Sequence, residues 1–338
     1  MNIQEVVQKQ SLSLMMNYSV NYLPPLNHEK EYEIHLLYEY TSLCSSSECK
    51  VIRSFTFLIS TFGLVGNGIV IWLLGFHIKR NPFTTFILNL AVADFGVLIY
   101  MVIECIVYMM LLFSNRHAVS GFYSWLAELL SVSIFLFLHF TGQFLLTAIS
   151  IDRCVSVLFP IWHKCHRPTY LSTTVCAILW VTSFLFCLTP YIAILTNIYG
   201  LIYIKFAVPP LLCLPLMVIS SLILFIKVCF KSPKHKRGKA LTAISLTLLF
   251  FFIFVIPVIA CLFISSFIIR HLKYHSITQY SFLGASLNSS VNPFIYFLVG
   301  RQKRGQRRER LKNILQRLFK EEEEEEEEGN GADMDSPV

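Results

Sequence analysis

The chain has 338 residues, 55% of them hydrophobic and only 14% charged, with a net charge of +7. A water-soluble protein of this size would lack the polar surface to cover such an apolar content, so a soluble domain is excluded and lipid becomes the expected solvent. The positive charge is not arranged as a basic stripe alternating with aromatics, which excludes a nucleic-acid face and leaves anionic membrane lipid and a cytoplasmic partner to account for it.

An α-helix crosses a hydrocarbon layer of roughly 30 Å with about 20 apolar residues. Residues 1–50 precede any such run and are expected to form an extracellular arm. The arm has no charged start followed by a short apolar stretch and cleavage site, so the first span is expected to act as its own insertion signal. Asn17, Tyr18 and Ser19 make a glycosylation sequon on Asn17. Cys44 and Cys49 sit in the oxidising compartment and could close a small loop, a pairing that spacing alone leaves open.

Seven runs follow, at Val51 to Phe76, Thr84 to Phe113, Phe122 to Leu158, Leu171 to Leu195, Ile202 to Phe230, Leu241 to Ile269 and Ile277 to Val299. Hydrocarbon satisfies no backbone group, so each run is predicted to be a helix, and residues 51–300 one seven-transmembrane bundle. The expected fold is an all-α membrane protein with a short amphipathic helix after the seventh span. Lys79, Arg80, Lys164, Arg167, the basic residues from Lys231 to Lys239 and the cluster from Arg301 to Lys320 fall in one set of loops. Because cytoplasmic loops retain Lys and Arg, the C-terminus is expected inside and the N-terminus outside.

Ionisable and strongly polar residues at mid-membrane are expensive, so each is a functional hypothesis. Asp94 lies about three turns into the second span, with Asn67 in the first and Asn288, Ser289 and Asn292 in the seventh as candidate partners. Such a cluster holds either a closed hydrogen-bond network or water, a proton or a cation. Asn288 also begins a sequon, unreachable within a span. Pro293 removes a backbone donor and predicts a kink beside the cluster, with Tyr296 one turn on; Pro215 and Pro257 predict kinks in the fifth and sixth spans. Asp152 and Arg153 end the third apolar stretch, where the arginine either pairs with its neighbour or projects toward a cytoplasmic ligand.

Gly66 and Asn67, then Asn89 to Asp94, Asp152 Arg153 Cys154, Trp180, Pro215, Pro257, and Asn292 to Tyr296 appear in a fixed order on consecutive spans. The chain resembles a rhodopsin-like G-protein-coupled receptor. Thr147 to Arg153, Phe159 to Trp162 and Cys165 to Pro168 resemble, more narrowly, Mas and the Mas-related receptors. The resemblance runs from about Val51 to Phe319. It implies a plasma-membrane receptor with no enzymatic activity and no cofactor, in which an extracellular ligand biases a two-state bundle. It implies that Asp152, Arg153 and Tyr296 serve coupling to a heterotrimeric G protein, and that the polar core with Pro257 and Pro293 serves as the switch.

The chain departs from that pattern in several places. Glu128 stands where many such receptors have a disulfide cysteine, and the loop Thr196 to Leu201 is short and has none. Val255 replaces a tryptophan before Pro257, Gly142 replaces a sodium-binding serine, and Arg237 takes the place of an acid that pairs with the third-span arginine. An arginine facing Arg153 repels it, which leads to the expectation of ligand-independent signalling.

Glu104 and Glu128 in the outer half, with Phe135, His139, Tyr108, Tyr280 and Phe282, are the candidate ligand pocket, suited to a basic peptide or an amine. The alternative is a solvated Glu128 and a Glu104 paired with His139 or Arg270. Beyond the seventh span, Leu311, Ile314, Leu315, Leu318 and Phe319 recur at helical spacing, so residues 301–320 are expected to lie as an amphipathic helix on the inner leaflet. Glu321 to Glu328 repel one another, and residues 321–338 are expected to be a disordered tail. A transporter or channel is the main reading from another class, but no internal repeat or ring of acids supports it. No His pair at metal-ligand spacing and no nucleophile with a base suggests a hydrolase or a metal site.

Overall fold

Asn81 starts the second helix by a reciprocal cap. Its Oδ1 accepts from the Thr84 amide at 2.7 Å, while Thr84 Oγ1 accepts from the Asn81 amide at 2.8 Å. Pro82 then occupies the first helical position, where a missing donor costs nothing. The computed structural model describes residues 47–78, 81–113, 121–168, 170–196, 208–209, 211–220, 222–223, 226 and 274–300; within them, 111–113, 121–129, 164, 190, 193–194, 274–278 and 297–300 are described as backbone alone. These residues give α1 (Ser47–Phe76), α2 (Pro82–Phe113), α3 (Gly121–Leu158), the short α4 (Pro160–Cys165), α5 (Leu171–Thr196), α6 (Leu211–Ser220) and α7 (Tyr274–Gly300). No strand occurs among the described residues.

The predicted spans one to four and seven differ from α1, α2, α3, α5 and α7 by at most four residues at any end, Val51 against Ser47 being the largest difference. Arg53 lies inside α1 and is buried. Among the described residues four helices are long and apolar enough to cross a membrane: α1, α2 over Pro82–Met110, α3 over Leu130–Leu158 and α5 over Leu171–Thr189. α6 lies within the fifth predicted run. The sixth run with Pro257, the arm with Asn17 and Cys44, Arg237, Arg270 and the tail helix lie outside the described residues.

The helices show which solvent they meet. Phe62 is 78% exposed, Phe76 80% and Leu195 82%, whereas Ser60, Asn67, Thr141, Ser150 and Ser286 are fully enclosed. Large apolar side chains outside and small polar ones inside suit a bundle solvated by hydrocarbon. Among the described helices α2 touches α1, α3, α5 and α7, and its residues Leu90, Ala93 and Val97 sit in the main core. Trp180 of α5 donates through Nε1 to Asn89 Oδ1 of α2 at 3.0 Å.

α1 and α7 meet through small residues. A methyl group built on Gly63 would lie 2.2 Å from Ser290 Oγ, and one on Gly66 would lie 3.0 Å from Pro293 Cβ. The same seam carries Ser60 Oγ to Ser286 Oγ at 3.1 Å and Ser290 Oγ to the Ile59 carbonyl at 3.1 Å. Close backbones with hydroxyl bridges are how membrane helices associate without a hydrophobic driving force.

Candidate functional site

The close α1–α7 seam brings the predicted polar residues together in the middle of the bundle. Asn67 is fully enclosed, and Asp94, Asn288, Ser289 and Asn292 are all buried. Asn292 Nδ2 donates to Asp94 Oδ2 at 2.7 Å, and the Ser289 side chain is a second hydrogen-bond partner of Asp94. Asn67 Nδ2 bridges the Gly63 and Ser289 carbonyls, both at 3.0 Å, which ties α1 to α7 just before the proline. Asn288 is buried one residue earlier and takes no part in these contacts. Pro293 lies inside α7, and Tyr296 is buried one turn on.

Two acceptors in this core, Asn67 Oδ1 and Asn292 Oδ1, are buried without a partner among the described residues. A methyl group on Gly142 would lie 3.7 Å from Asp94 Oδ1, an ordinary contact. Carboxylate and amide oxygens are the donor set that suits water or a small hard cation. The chemistry available here is thus exchange of a proton, water or cation, beside a helix seam that contains Pro293.

At the Arg153 end of α3, Asp152 forms the node of a charge cluster. Arg153 Nη2 reaches Asp152 Oδ2 at 3.1 Å, and Arg167 Nη2 reaches Asp152 Oδ1 at 2.8 Å. His163 of α4 is 3.7 Å from the same oxygen and 2.6 Å from Arg167 Nη1. Arg167 also donates to Ser172 Oγ in the first turn of α5, at 2.7 Å. The Arg153 guanidinium lies 4.0 Å over the Phe83 ring of α2 and is only 3% exposed. Of the two orientations open from sequence, Arg153 therefore takes the inward one. Beside this cluster, Leu158, Phe159, Pro160, Ile161, Trp162 and His166 line an apolar groove of about 490 Å³.

The opposite end corrects the acidic-pocket expectation. Arg53 Nη1 lies 3.4 Å from Glu104 Oε1, and the same guanidinium stacks 4.3 Å over the Tyr108 ring. Neither His139 nor Arg270 is needed to balance Glu104, because a cation from α1 already does so. Tyr108 is buried against Arg53 and Cys49 instead of facing a cavity. Tyr280 donates to Glu48 Oε1 at 2.7 Å, and the Glu128 side chain is not among those described. Phe135 and His139 do come together: their rings stack at 5.4 Å, and Tyr100 and Phe282 join at 5.0 and 5.4 Å from Phe135. His139 is held by Gln143 at 2.7 Å.

Arg53, Phe83, His163, Arg167 and Ser172 were not singled out as site residues from sequence. Arg53 carried a signal, a lone cation at the edge of an apolar run. Arg167 stood inside a segment that carried the resemblance, but it read as one more basic loop residue.

Apolar helices around a buried carboxylate, a last span with a proline inside it and a charged node at one mouth define a polar-cored membrane bundle. Residues 66–296 match the family described as 7 transmembrane receptor (rhodopsin family). The chain is 37% identical to the proto-oncogene Mas of Homo sapiens over 277 residues, 78% of this chain and 82% of that one. It is 34% identical to Mas-related G-protein coupled receptor member H of Rattus norvegicus over 308 residues, 84% and 88% of the two chains. It is 35% identical to Mas-related G-protein coupled receptor member X1 of Homo sapiens over 280 residues, 79% and 82%. The chain belongs to the rhodopsin family of seven-transmembrane receptors, with Mas and the Mas-related receptors. It is a G-protein-coupled receptor and not an enzyme, a multi-pass protein of the plasma membrane from a family whose members in general take an extracellular ligand and a G protein.

Proposed function

We propose that this receptor couples to its G protein through Arg153, which leaves Asp152 and the Phe83 ring when the bundle opens and meets the C-terminal helix of a Gα subunit. The observation that carries the reading is the placement of Arg153: 3% exposed, near the end of α3, with the Asp152 carboxylate at 3.1 Å and the Phe83 face at 4.0 Å among its contacts. Both are contacts that an incoming partner can replace. Asn67, Asp94, Asn288, Asn292, Pro257 and Pro293 form the switch in this reading. The N-terminus with glycosylated Asn17 lies outside, residues 301–320 lie on the inner leaflet, and residues 321–338 form a solvated acidic tail.

The ligand in this reading is a basic peptide or an amine. Its cation meets the aromatic faces of Tyr100, Phe135 and Phe282, with His139 beneath, since aromatic rings attract cations. Glu104 contributes less than its charge suggests, because Arg53 balances it. Glu128 and Tyr280 complete the vestibule.

The test is a Gα-activation assay across subtypes in cells expressing the chain or its Arg153→Ala variant, first without ligand and then with a panel of basic peptides. The expected result is activation of at least one Gα class by the wild type and none by the variant. Equal signals from the two proteins in every condition would remove the proposal.

A further inference from the structure

We propose that Arg167 is the standby cation for Asp152: it neutralises that carboxylate when Arg153 departs, and so acts as a positioning residue for G-protein engagement. The inference rests on the coupling role given to Arg153 above. The two arginines do not compete for one atom. Arg153 uses Oδ2 at 3.1 Å, and Arg167 uses Oδ1 at the shorter distance of 2.8 Å. Removal of Arg153 therefore leaves the Arg167 contact in place.

Arg167 is built into elements other than the helix that carries Arg153. One of its nitrogens faces His163 Nε2 of α4 at 2.6 Å, and another bonds Ser172 Oγ of α5 at 2.7 Å. A guanidinium only donates, so the histidine nitrogen accepts and the ring braces Arg167 from behind. The Arg167 side chain is 6% exposed and that of Asp152 is 12% exposed. At this depth a carboxylate left without a cation is strongly disfavoured. Without Arg167, the departure of Arg153 would leave Asp152 with no guanidinium and only the His163 ring 3.7 Å away, and the engaged state would carry that penalty. With Arg167 in place, Asp152 keeps a cation partner whether Arg153 is present or gone.

The experiment uses the full chain in nanodiscs and measures binding of synthetic peptides matching the C-terminal helices of the Gα classes. The variants are Arg153→Ala, Arg167→Gln, Arg167→Lys, Asp152→Asn and the double variant Asp152→Asn with Arg167→Gln, each checked by thermal melting. Arg167→Gln is expected to weaken the best peptide about tenfold, and Arg167→Lys to recover part of that loss. The double variant is expected to bind like Asp152→Asn alone, because a neutral residue 152 needs no standby cation. Wild-type binding by Arg167→Gln overturns the inference, as does a double variant that loses as much relative to Asp152→Asn as the single loses relative to wild type. If those results appear while Arg153→Ala abolishes binding, only this inference fails. If Arg153→Ala binds as well as wild type, or no peptide binds wild type, the coupling role of Arg153 fails with it.

Discussion

Among the described residues Asp94 is buried and Asp152 nearly so, and their surroundings differ in kind. Asp94 is met among the described residues by an amide and a hydroxyl, Asn292 and Ser289. Asp152 is met by Arg153 and Arg167, with His163 beside them. Neutral dipoles stabilise a carboxylate without cancelling it, so Asp94 keeps a charge that a mobile proton or cation can answer. Fixed guanidinium groups cancel the charge, so the Asp152 site can change only by exchanging protein partners. One site is a place for a small mobile species; the other is a place for a conformational exchange.

The largest effect is expected at the exchange site. Arg153→Ala should reduce Gα nucleotide exchange to the level of cells lacking the receptor, at equal surface expression. A variant retaining half the wild-type signal would show that the exchange lies elsewhere. Next comes the seam that delivers Asn67 to Ser289. Gly63→Ala forces a contact with Ser290 and Leu98 and should cost about 1–3 kcal/mol, read as a lower melting temperature in nanodiscs. Gly75→Ala is the matched control, since nothing lies within 4 Å of its added methyl, and it should be neutral or slightly stabilising by up to about 1 kcal/mol.

A smaller effect tests the mobile-species half of the comparison. Asp94→Asn preserves an acceptor for Asn292 but removes the charge, so any rise in melting temperature in sodium over choline chloride should vanish. Gly142→Ser adds a hydroxyl beside Asp94, its Cβ making an ordinary contact there, and should enlarge that rise. Equal sodium dependence in all three proteins would reduce Asp94 to a structural hydrogen bond. The smallest effect belongs to a third acid. Glu104 is 27% exposed and its contact with Arg53 is 3.4 Å long, so Glu104→Gln should cost only ~0.5–1 kcal/mol. It should also shift a basic-peptide response less than Phe135→Ala does.

The described helix ends were legible in the sequence because hydrocarbon imposes length and polarity on every span. The polar core was legible too: Asn67, Asp94, Ser289 and Asn292 stood out as polar residues in apolar runs, and four of the five expected members share one network. The ligand pocket was read less well. Glu104 and Tyr280 were grouped with Phe135 and His139 because all lie in the outer halves of their helices. The structure instead gives Glu104 to Arg53 and Tyr280 to Glu48. Depth along a span follows from counting residues, but the direction a side chain takes depends on how its helix is rotated and which neighbour it packs against.

That distinction divides what each level determined. The sequence by itself determined the solvent, the described helices, the family and the presence of a charged pair at the end of the third span, since these follow from composition, run length and motif order. Only tertiary structure decided that Arg153 points inward onto Phe83, that His163 of α4 and Arg167 of the connection after it converge on Asp152, and that Arg53 pairs with Glu104. Charges choose partners by distance across helices, and those distances are set when the helices pack.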